Sequence, residues 1–415
     1  MKRLLLVTTM LVMSNLSANE LLIQNVRLLT TSFESGVIVD LRVEDGIITE
    51  IGADLAPSPG ATFLDGENQP VTAGFIDSGT TIGLAEVSGL GVSRDGEQSD
   101  DDMTAGFQVY LALNEDSSLI PIASNDGITR GVIVPEAGDS NYAGQSALVR
   151  FTRGAAFLQQ QTVAQHLYLR EGDRRRAGGS RSSALAAALE ALEESARYDQ
   201  QPRAFNTNKN RSFNLDESDL VALSAVRRGK VPLVVQVDRA ADIIKVVTAF
   251  GSYPALRLVL ASATEAWKVA PLLKAGNIPV LINVMENLPQ NFDRLGARLD
   301  QATLLAEAGV RFAFFSGSPY SETRSLSQAA GIAVAQGLSW QQAITAITAA
   351  PAEIWGLKGL GRIEVGAIAD LVIWNGDPLE VTSAPVAVLI DGARVDLETR
   401  QDALAKRYVE LLNLK

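Results

Sequence analysis

The chain has 415 residues, enough for one large barrel and a smaller domain, and its apolar and charged fractions of 47% and 20% are those of a globular protein. Its formal net charge of −12 argues against nucleic acid as a partner, since the longest basic run is only Arg174–Arg176. Because there is no cysteine, disulfides, thiolate nucleophiles and cysteine metal sites are excluded.

The first residues have the layout of a secretory signal peptide. Lys2 and Arg3 precede a mainly apolar stretch at residues 4–13, and small and polar residues follow. The stretch is too short to span a bilayer, and no cysteine follows it that would carry a lipid anchor. We therefore expect a leader at residues 1–18, cleavage after Ala18, and export to the periplasm without a membrane anchor. A buried N-terminal strand is the alternative interpretation.

Residues 21–73 contain short β-rich stretches separated by turns. Asp45-Gly46 lies between two of them, and this pair is a strong hairpin signal because a type I′ turn needs positive φ at both central residues. The sequence therefore predicts antiparallel strands at this end of the chain.

The central region alternates between apolar, β-branched stretches and stretches of helical composition. Residues 182–198 have the leucine spacing of a helix, and a second helix is expected at 215–229, with Asp216 as its N-cap. Strands are predicted at 231–237, 256–262, 278–284 and 310–316, each separated from the next by a helix. This alternation indicates a parallel sheet buried on both faces, for which an eightfold barrel over residues 74–358 is the best closure. An open doubly wound sheet is the runner-up, although no glycine-rich phosphate fingerprint is present.

The other end of the chain returns to β structure. Residues 369–380 and 386–397 have strand character, and Asp391-Gly392 is a second hairpin signal. We expect residues 19–73 and 359–395 to form one small β-sandwich domain, closed by both ends of the chain. A helix is expected at 396–415.

Two stretches resemble the amidohydrolase superfamily, specifically its imidazolonepropionase-like branch. VTAGFIDSGTTIGL, residues 71–84, is similar to that family's first barrel strand, with its pattern Pro-Gly-x-Ile-Asp-x-His-x-His. GLGRIEVGAIADLVIWNGDPLE, residues 359–380, is similar to the family's return to its β domain. Residues 237–243, 263–267 and 305–319 resemble its fifth, sixth and eighth strand regions. The resemblance implies a (β/α)8 TIM-like barrel with a small β-sandwich domain, and hydrolysis of carbon–nitrogen bonds.

Such enzymes hold one or two divalent ions at the C-terminal mouth of the barrel, where the metal activates a water molecule and polarises a carbonyl group. Carried over by position, the family's ligands fall on Gly79 and Thr81 in the first strand, Gln236 in the fifth, Ser262 in the sixth and Gly317 in the eighth. The fourth-strand lysine or carboxylate has no assigned position. The resemblance therefore implies a barrel whose metal ligands are substituted. We expect no metal or other cofactor, and a roomy, uncharged pocket lined by these side chains.

Carboxylates near the predicted strand ends offer an alternative, oxygen-only metal site or a paired acid and base: Asp77, Glu86, Asp238 and Glu265, with a further acidic cluster at residues 100–102. Each also has an ordinary structural interpretation. Asp77 is expected to orient its loop, Asp238 to pair with Arg239 at the barrel rim, and the acidic cluster to be solvated.

His166 is the single histidine of the chain and matches none of the family's ligand positions. We interpret it as a packing residue, because one imidazole cannot replace four. A serine nucleophile is not indicated, since the Gly-x-Ser-x-Gly elbow is absent and a triad would depend on His166 alone.

Two functions remain in view. The first is a periplasmic pseudoenzyme that binds an unidentified small molecule, or that assembles with itself or with a metal-competent paralogue. The second is an active hydrolase of carbon–nitrogen bonds other than peptide bonds, acting through a non-standard metal site or through carboxylates.

Overall fold

A computed structural model describes residues 20–29, 31–86, 90–99, 103–200, 213–286, 288–317, 323–398 and 400–413. The expected leader at residues 1–18 and the acidic cluster at residues 100–102 lie outside the described residues.

The N-terminal part of the chain forms five strands, β1 Glu20–Leu29, β2 Gly36–Glu44, β3 Ile47–Gly52, β4 Thr62–Asp65 and β5 Pro70–Ala73. The turn between β2 and β3 is the predicted hairpin, with φ of 49° at Asp45 and 81° at Gly46. Both values lie in the left-handed region that a type I′ turn requires, so this prediction is confirmed.

The next eight strands form a second sheet, in order along the chain: β6 Phe75–Thr80, β7 Ile128–Ile133, β8 Tyr142–Arg150, β9 Leu158–Tyr168, β10 Leu233–Val237, β11 Leu258–Ser262, β12 Val280–Ile282 and β13 Phe312–Phe314. The sheet curls until its first and last strands meet. The N–H of Gly317, just after β13, donates to the carbonyl oxygen of Gly79 in β6 at 2.8 Å. The predicted TIM-like barrel is confirmed.

Strand β8 runs against the direction of the other seven strands. It is antiparallel to both β7 and β9, whereas the remaining neighbours in the sheet are parallel. The strand–helix alternation did not predict this reversal. The reversal brings the β8–β9 connection, residues 151–157, to the end of the barrel at which the parallel strands begin.

Ten α-helices accompany the sheets in the described residues: α1 Ile120–Asn125, α2 Arg181–Gln200, α3 Glu217–Arg227, α4 Ala240–Phe250, α5 Ala270–Ala275, α6 Gln301–Glu307, α7 Leu326–Ala335, α8 Trp340–Ile347, α9 Ala349–Trp355 and α10 Arg400–Asn413. One apolar cluster joins alternate strand positions such as Val234 and Ala261 to Ile354 and Trp355 of α9, and this cluster fills the barrel interior. A larger cluster contains the opposite strand faces and the helices packed on them. Burial on both faces explains why the strands are apolar throughout.

The chain then returns to the first sheet through β14 Leu371–Trp374, β15 Pro385–Ile390 and β16 Ala393–Arg394. Strand β14 pairs antiparallel with β5, which joins the two ends of the chain in one sheet. The second predicted hairpin is also present, with φ of 51° at Asp391 and 75° at Gly392.

A buried charge network connects this β domain to the barrel. Arg130 of β7 is fully buried and binds Asp370 through Nε–Oδ2 at 2.6 Å and Nη2–Oδ1 at 2.8 Å. Its Nη2 also binds Asp391, which in turn pairs with Arg150. The network places the base of the barrel directly against the β15–β16 hairpin.

Among the described residues, no helix has both the length and the apolar character required to cross a membrane.

The barrel mouth as candidate functional site

Parallel strands present their C-terminal ends at the same rim, so the residues at these ends are brought together. Gly79 lies in β6, Thr81 directly follows β6, Gln236 lies in β10, Ser262 ends β11, and Gly317 follows β13. The first four are buried, whereas Gly317 is exposed. The hydrogen bond between Gly79 and Gly317 shows that the first and last of these positions are in direct contact.

The ring of Phe315 lies between these two glycines. A Cβ atom added at Gly79 would stand 3.2 Å from Phe315 Cδ2, and one added at Gly317 would stand 3.3 Å from Phe315 Cε2. Gly317 also has φ of 72°, which L side chains rarely adopt. A half-buried phenyl ring therefore occupies space that the sequence predicted to be a roomy pocket.

Asp77 is fully buried at the seam where the barrel closes. Its Oδ1 accepts the N–H of Gly79 at 2.9 Å and the N–H of Ser316 at 3.1 Å, whereas its Oδ2 is buried and has no hydrogen-bond partner among the residues that the structure describes. Burial raises the pKa of Asp77 to about 6, since the two N–H donors only partly replace water. This carboxyl group joins β6 to the segment after β13, as an orienting role requires.

Three hydroxyl groups continue the same seam. Thr80 and Thr323 share a hydrogen bond of 2.7 Å between their Oγ1 atoms, and Ser316 Oγ lies 3.0 Å from Thr323 Oγ1. Ser316 Oγ also donates to the carbonyl oxygen of Gly79 at 3.3 Å. All three residues are buried, so the hydroxyl groups are engaged with one another rather than presented to a substrate.

Asp238 is bound to Arg294 rather than to Arg239, so the predicted pairing is wrong. Arg294 Nε donates to Asp238 Oδ2 at 3.0 Å, and Thr264 Oγ1 donates to Asp238 Oδ1 at 2.7 Å. Arg239 instead binds Asp242, three residues along the chain, at 2.7 Å. The reason is geometric, because Asp238 is 1% exposed inside the rim while Arg239 begins a helix on the outside of the barrel.

Glu265 is likewise committed to structural contacts. Its Oε1 accepts from Lys268 Nζ at 2.6 Å and from the N–H of Gly296 at 2.9 Å, and its Oε2 accepts the N–H of Ala240 at 3.0 Å. Burial alone would raise the pKa of Glu265, but these donors lower it overall. Glu86, the fourth candidate carboxylate, accepts from Asn114 Nδ2 at 2.8 Å.

The end of β11 carries an unusual backbone. Ser262 has φ of 61° and Ala263 has φ of 45°, both in the left-handed region that non-glycine residues rarely adopt. The side-chain Nε2 of Gln301 donates to the carbonyl oxygen of Ala263 at 2.8 Å and holds this turn. Ser262 therefore occupies a fixed, strained position at the rim.

Three further residues at the mouth were not identified from the sequence. They are Phe315, Arg294 and Tyr168. Tyr168 ends β9, the fourth barrel strand, and its hydroxyl group donates to the carbonyl oxygen of Pro135 at 2.7 Å. Burial raises the pKa of Tyr168 above its ordinary value. The run of aromatic residues in RFAFFSG, residues 311–317, was the available signal for Phe315.

His166 lies inside the barrel wall on β9, paired with Val234 of β10 and Gly144 of β8. It is 2% exposed, and neither ring nitrogen has a hydrogen-bond partner within the described part of the chain. Burial lowers its pKa to about 3. The imidazole is therefore neutral at ordinary pH, and among the described residues it belongs to no group of three or more ligating side chains.

The mouth does not fit the divalent ion that the family resemblance implies. The positions that carry imidazoles and an aspartate in the family hold two glycines against a phenyl ring, together with Thr81, Gln236 and Ser262. Over the described ranges, no group of three or more histidine, cysteine, aspartate or glutamate side chains is arranged to hold a metal. No chemical step through a metal can be derived from these residues.

Comparisons with known proteins identify relatives of the chain. A family model described as “Amidohydrolase family” matches residues 312–396. An amidohydrolase named tasK from Hapsidospora irregularis is 23% identical over 394 residues, which are 85% of this chain and 39% of that protein. The chain thus spans about two fifths of the length of that relative.

Solved structures of similar fold include an amidohydrolase from Thermotoga maritima MSB8, with a TM-score of 0.82 and 22% identity over 91% of this chain and 99% of the other. A Xaa-Pro dipeptidase with methionine bound in its active site has a TM-score of 0.57 and 15% identity, covering 91% of this chain and all of the other. At these identities the structural likeness establishes the fold, and the substrates of these enzymes are not transferred with it.

Proposed function

Because the chain belongs to the amidohydrolase superfamily, we propose that it is a pseudoenzyme of that superfamily. In this proposal the barrel has lost the metal site for hydrolysing amide and cyclic amide bonds. It serves instead in ligand binding or as the partner of an active paralogue.

One observation carries the proposal, namely the position of Phe315. Its ring lies against both Gly79 and Gly317, the positions of the family's first imidazole and of its aspartate. A histidine at Gly79 would have to displace the ring, and an aspartate at Gly317 would need a left-handed backbone. The substitutions are therefore accompanied by repacking of the mouth, which is what we expect of a site that is no longer used for metal chemistry.

The alternative is an active hydrolase that uses carboxylates. Asp238 and Glu265 speak against this alternative, since each is buried and bound to a cation and to further donors. Asp77 has a raised pKa, but it is fully buried. A general acid or base must reach its substrate within hydrogen-bond distance, and none of the three is placed to do so.

The test combines metal analysis with an activity assay. The purified protein should carry well under one equivalent of zinc, manganese or iron, and a chelator should leave its melting temperature unchanged. Cyclic amides and dipeptides should not be hydrolysed with or without added Zn²⁺ or Mn²⁺, relative to a mock purification from cells lacking the protein. Near-stoichiometric metal, lost with chelator together with thermal stability, would falsify the proposal and favour the active hydrolase.

We also propose that the protein is exported to the periplasm, on the basis of the charged and apolar layout of residues 1–18. N-terminal sequencing of the protein from its native cells should find a start near Asn19. Retention of Met1 on the exported protein would contradict this.

A partner role requires an assembly. We propose that the protein associates with a second copy or with a metal-competent paralogue, because a barrel without chemistry would be retained for an interface. Sedimentation of the purified protein should show a dimer or larger species, or cross-linking in native cells should recover the paralogue. A monomer with neither outcome would remove this part of the proposal.

A further inference from the structure

A cavity of about 800 Å³ lies away from the barrel mouth, at the junction of the two sheets. Its walls come from α1, from the β8–β9 connection and from the β15–β16 hairpin, and α10 contributes Ala403. Cavities of this size are typical of sites for small organic ligands.

The reversed strand creates this cavity. Because β8 is antiparallel to its neighbours, Phe151, Thr152 and Arg153 reach the base of the barrel instead of the mouth. Arg150, the last residue of β8, binds Asp391 in the β15–β16 hairpin, and this contact holds the two walls together. The site therefore lies at the opposite end of the barrel from the mouth.

The walls of the cavity are mainly apolar. Pro121, Ile122 and Val395 line it and are partly exposed, so they offer apolar surface, whereas Ile120, Phe151 and Ile390 are also in the lining but are at most 2% exposed. Such walls favour the apolar body of a ligand over water.

Two guanidinium groups of the lining are available to bind an anion. Arg153 and Arg394 are exposed in the lining, and neither forms an ion pair with any residue that the structure describes. The two acidic lining residues are partly engaged, since Glu398 binds Lys406 at 2.9 Å and Asp396 Oδ1 accepts the N–H of Glu398 at 3.0 Å.

We propose that this cavity binds a small organic acid with an extended apolar body. The apolar body packs against Pro121, Ile122 and Val395, and the carboxylate is bound by the guanidinium groups of Arg153 and Arg394. Guanidinium groups are well suited to this role because their planar donors match a carboxylate.

The test uses dodecanoate as the probe and calorimetric titration of the full chain. Dodecanoate should bind with a stoichiometry of one, whereas dodecanol, which lacks the charge, and acetate, which lacks the chain, should each bind at least tenfold more weakly. The double variant Arg153→Gln, Arg394→Gln should weaken dodecanoate binding at least tenfold, and Arg153→Lys, Arg394→Lys should retain most of it. Ala403→Trp, which places an indole at the edge of the cavity, should compete with the probe.

Circular dichroism and melting temperature report whether each variant is folded, and Ala403→Trp keeps the test decisive if the glutamine pair does not fold. Absence of saturable binding by the wild-type protein would overturn the proposal. Equal affinity for dodecanoate and dodecanol would also overturn it, as would unchanged dodecanoate binding in the folded glutamine pair or in Ala403→Trp. None of these outcomes bears on metal content or hydrolysis, so they are separable from the proposed pseudoenzyme function.

Discussion

The ring of Phe315 lies 3.2 Å from the point at which a side chain at Gly79 would begin. The two residues are more than 230 positions apart in the chain but face each other across the seam that closes the barrel. Because the two residues are in contact, the packing at the barrel mouth can be tested directly by substitution.

Replacement of Gly79 by histidine should destabilise the protein by about 1–3 kcal/mol, because the new side chain must displace the Phe315 ring from a packed position. The same replacement in a Phe315→Ala background should cost clearly less. Denaturant unfolding of the four proteins of this double-mutant cycle measures the coupling.

Gly172→His is the matched control, since no heavy atom lies within 4 Å of a Cβ at that position. It should change stability little in either background. Additive effects of Gly79→His and Phe315→Ala would contradict the packing interpretation.

Adding Thr81→His to Gly79→His should not restore hydrolysis with zinc present, because the fifth, sixth and eighth strand positions still lack ligands.

The effect of Asp77→Asn on the free energy of unfolding, relative to the wild-type protein, should be more favourable at high pH than at low pH. The pKa of Asp77 is raised to about 6, so between its ordinary value and pH 6 the folded state binds a proton more tightly than the unfolded state. The wild-type protein therefore loses stability as pH rises through that window, by about 3 kcal/mol in total, and the amide variant does not. Unfolding free energies of both proteins at pH 4 and pH 8 measure this difference.

Asp238→Asn provides the contrast. Asp238 is paired with buried Arg294, so its replacement should destabilise the protein at pH 8 by leaving that cation with only the half-exposed Glu286 as its partner. Stabilisation by both amide variants at pH 8, or by neither, would contradict the different environments assigned to the two carboxylates.

His166→Leu should reduce the loss of stability that occurs when the pH is lowered. The pKa of His166 is lowered to about 3 in the folded state, so as pH falls below about 6.5 the unfolded state takes up the proton first. The wild-type protein should lose about 3 kcal/mol more than the leucine variant between pH 7.5 and pH 4.5. If the free energy of unfolding depended on pH in the same way in both proteins, this would show that protonated His166 is stabilised by a hydrogen-bond or ionic partner in the folded state.

Arg130→Met should destabilise the protein by about 3–5 kcal/mol, since it leaves the carboxylate of Asp370 buried without its cation. Arg362→Met is the surface control, because the pair formed by Arg362 and Glu353 is half-exposed on both sides and is expected to contribute about 0–1 kcal/mol. Chemical unfolding of both variants gives the comparison. A similar small effect in both would mean that the buried network does not hold the β domain to the barrel.

The sequence by itself determined the local elements of the fold. The Asp-Gly pairs at 45–46 and 391–392 fixed two hairpins because their turns require positive φ, and the structure has these angles. Helix α3 begins after Asp216 as predicted, and the predicted strands from 231 onward coincide with β10–β13. These features depend on backbone preferences and periodicity within a few residues, and neighbours in the sequence carry that information.

The tertiary structure decided the features that depend on distant residues. The direction of β8 follows from its partners in the sheet, and the cavity at the base of the barrel follows from that direction. The choice of Arg294 over Arg239 as the partner of Asp238 depends on which side of the rim each guanidinium group can reach. The position of the Phe315 ring and the desolvation of Asp77 depend on the closing of a seam between segments about 240 residues apart. Packing and desolvation energies arise only when such segments meet, so no local pattern in the sequence records them.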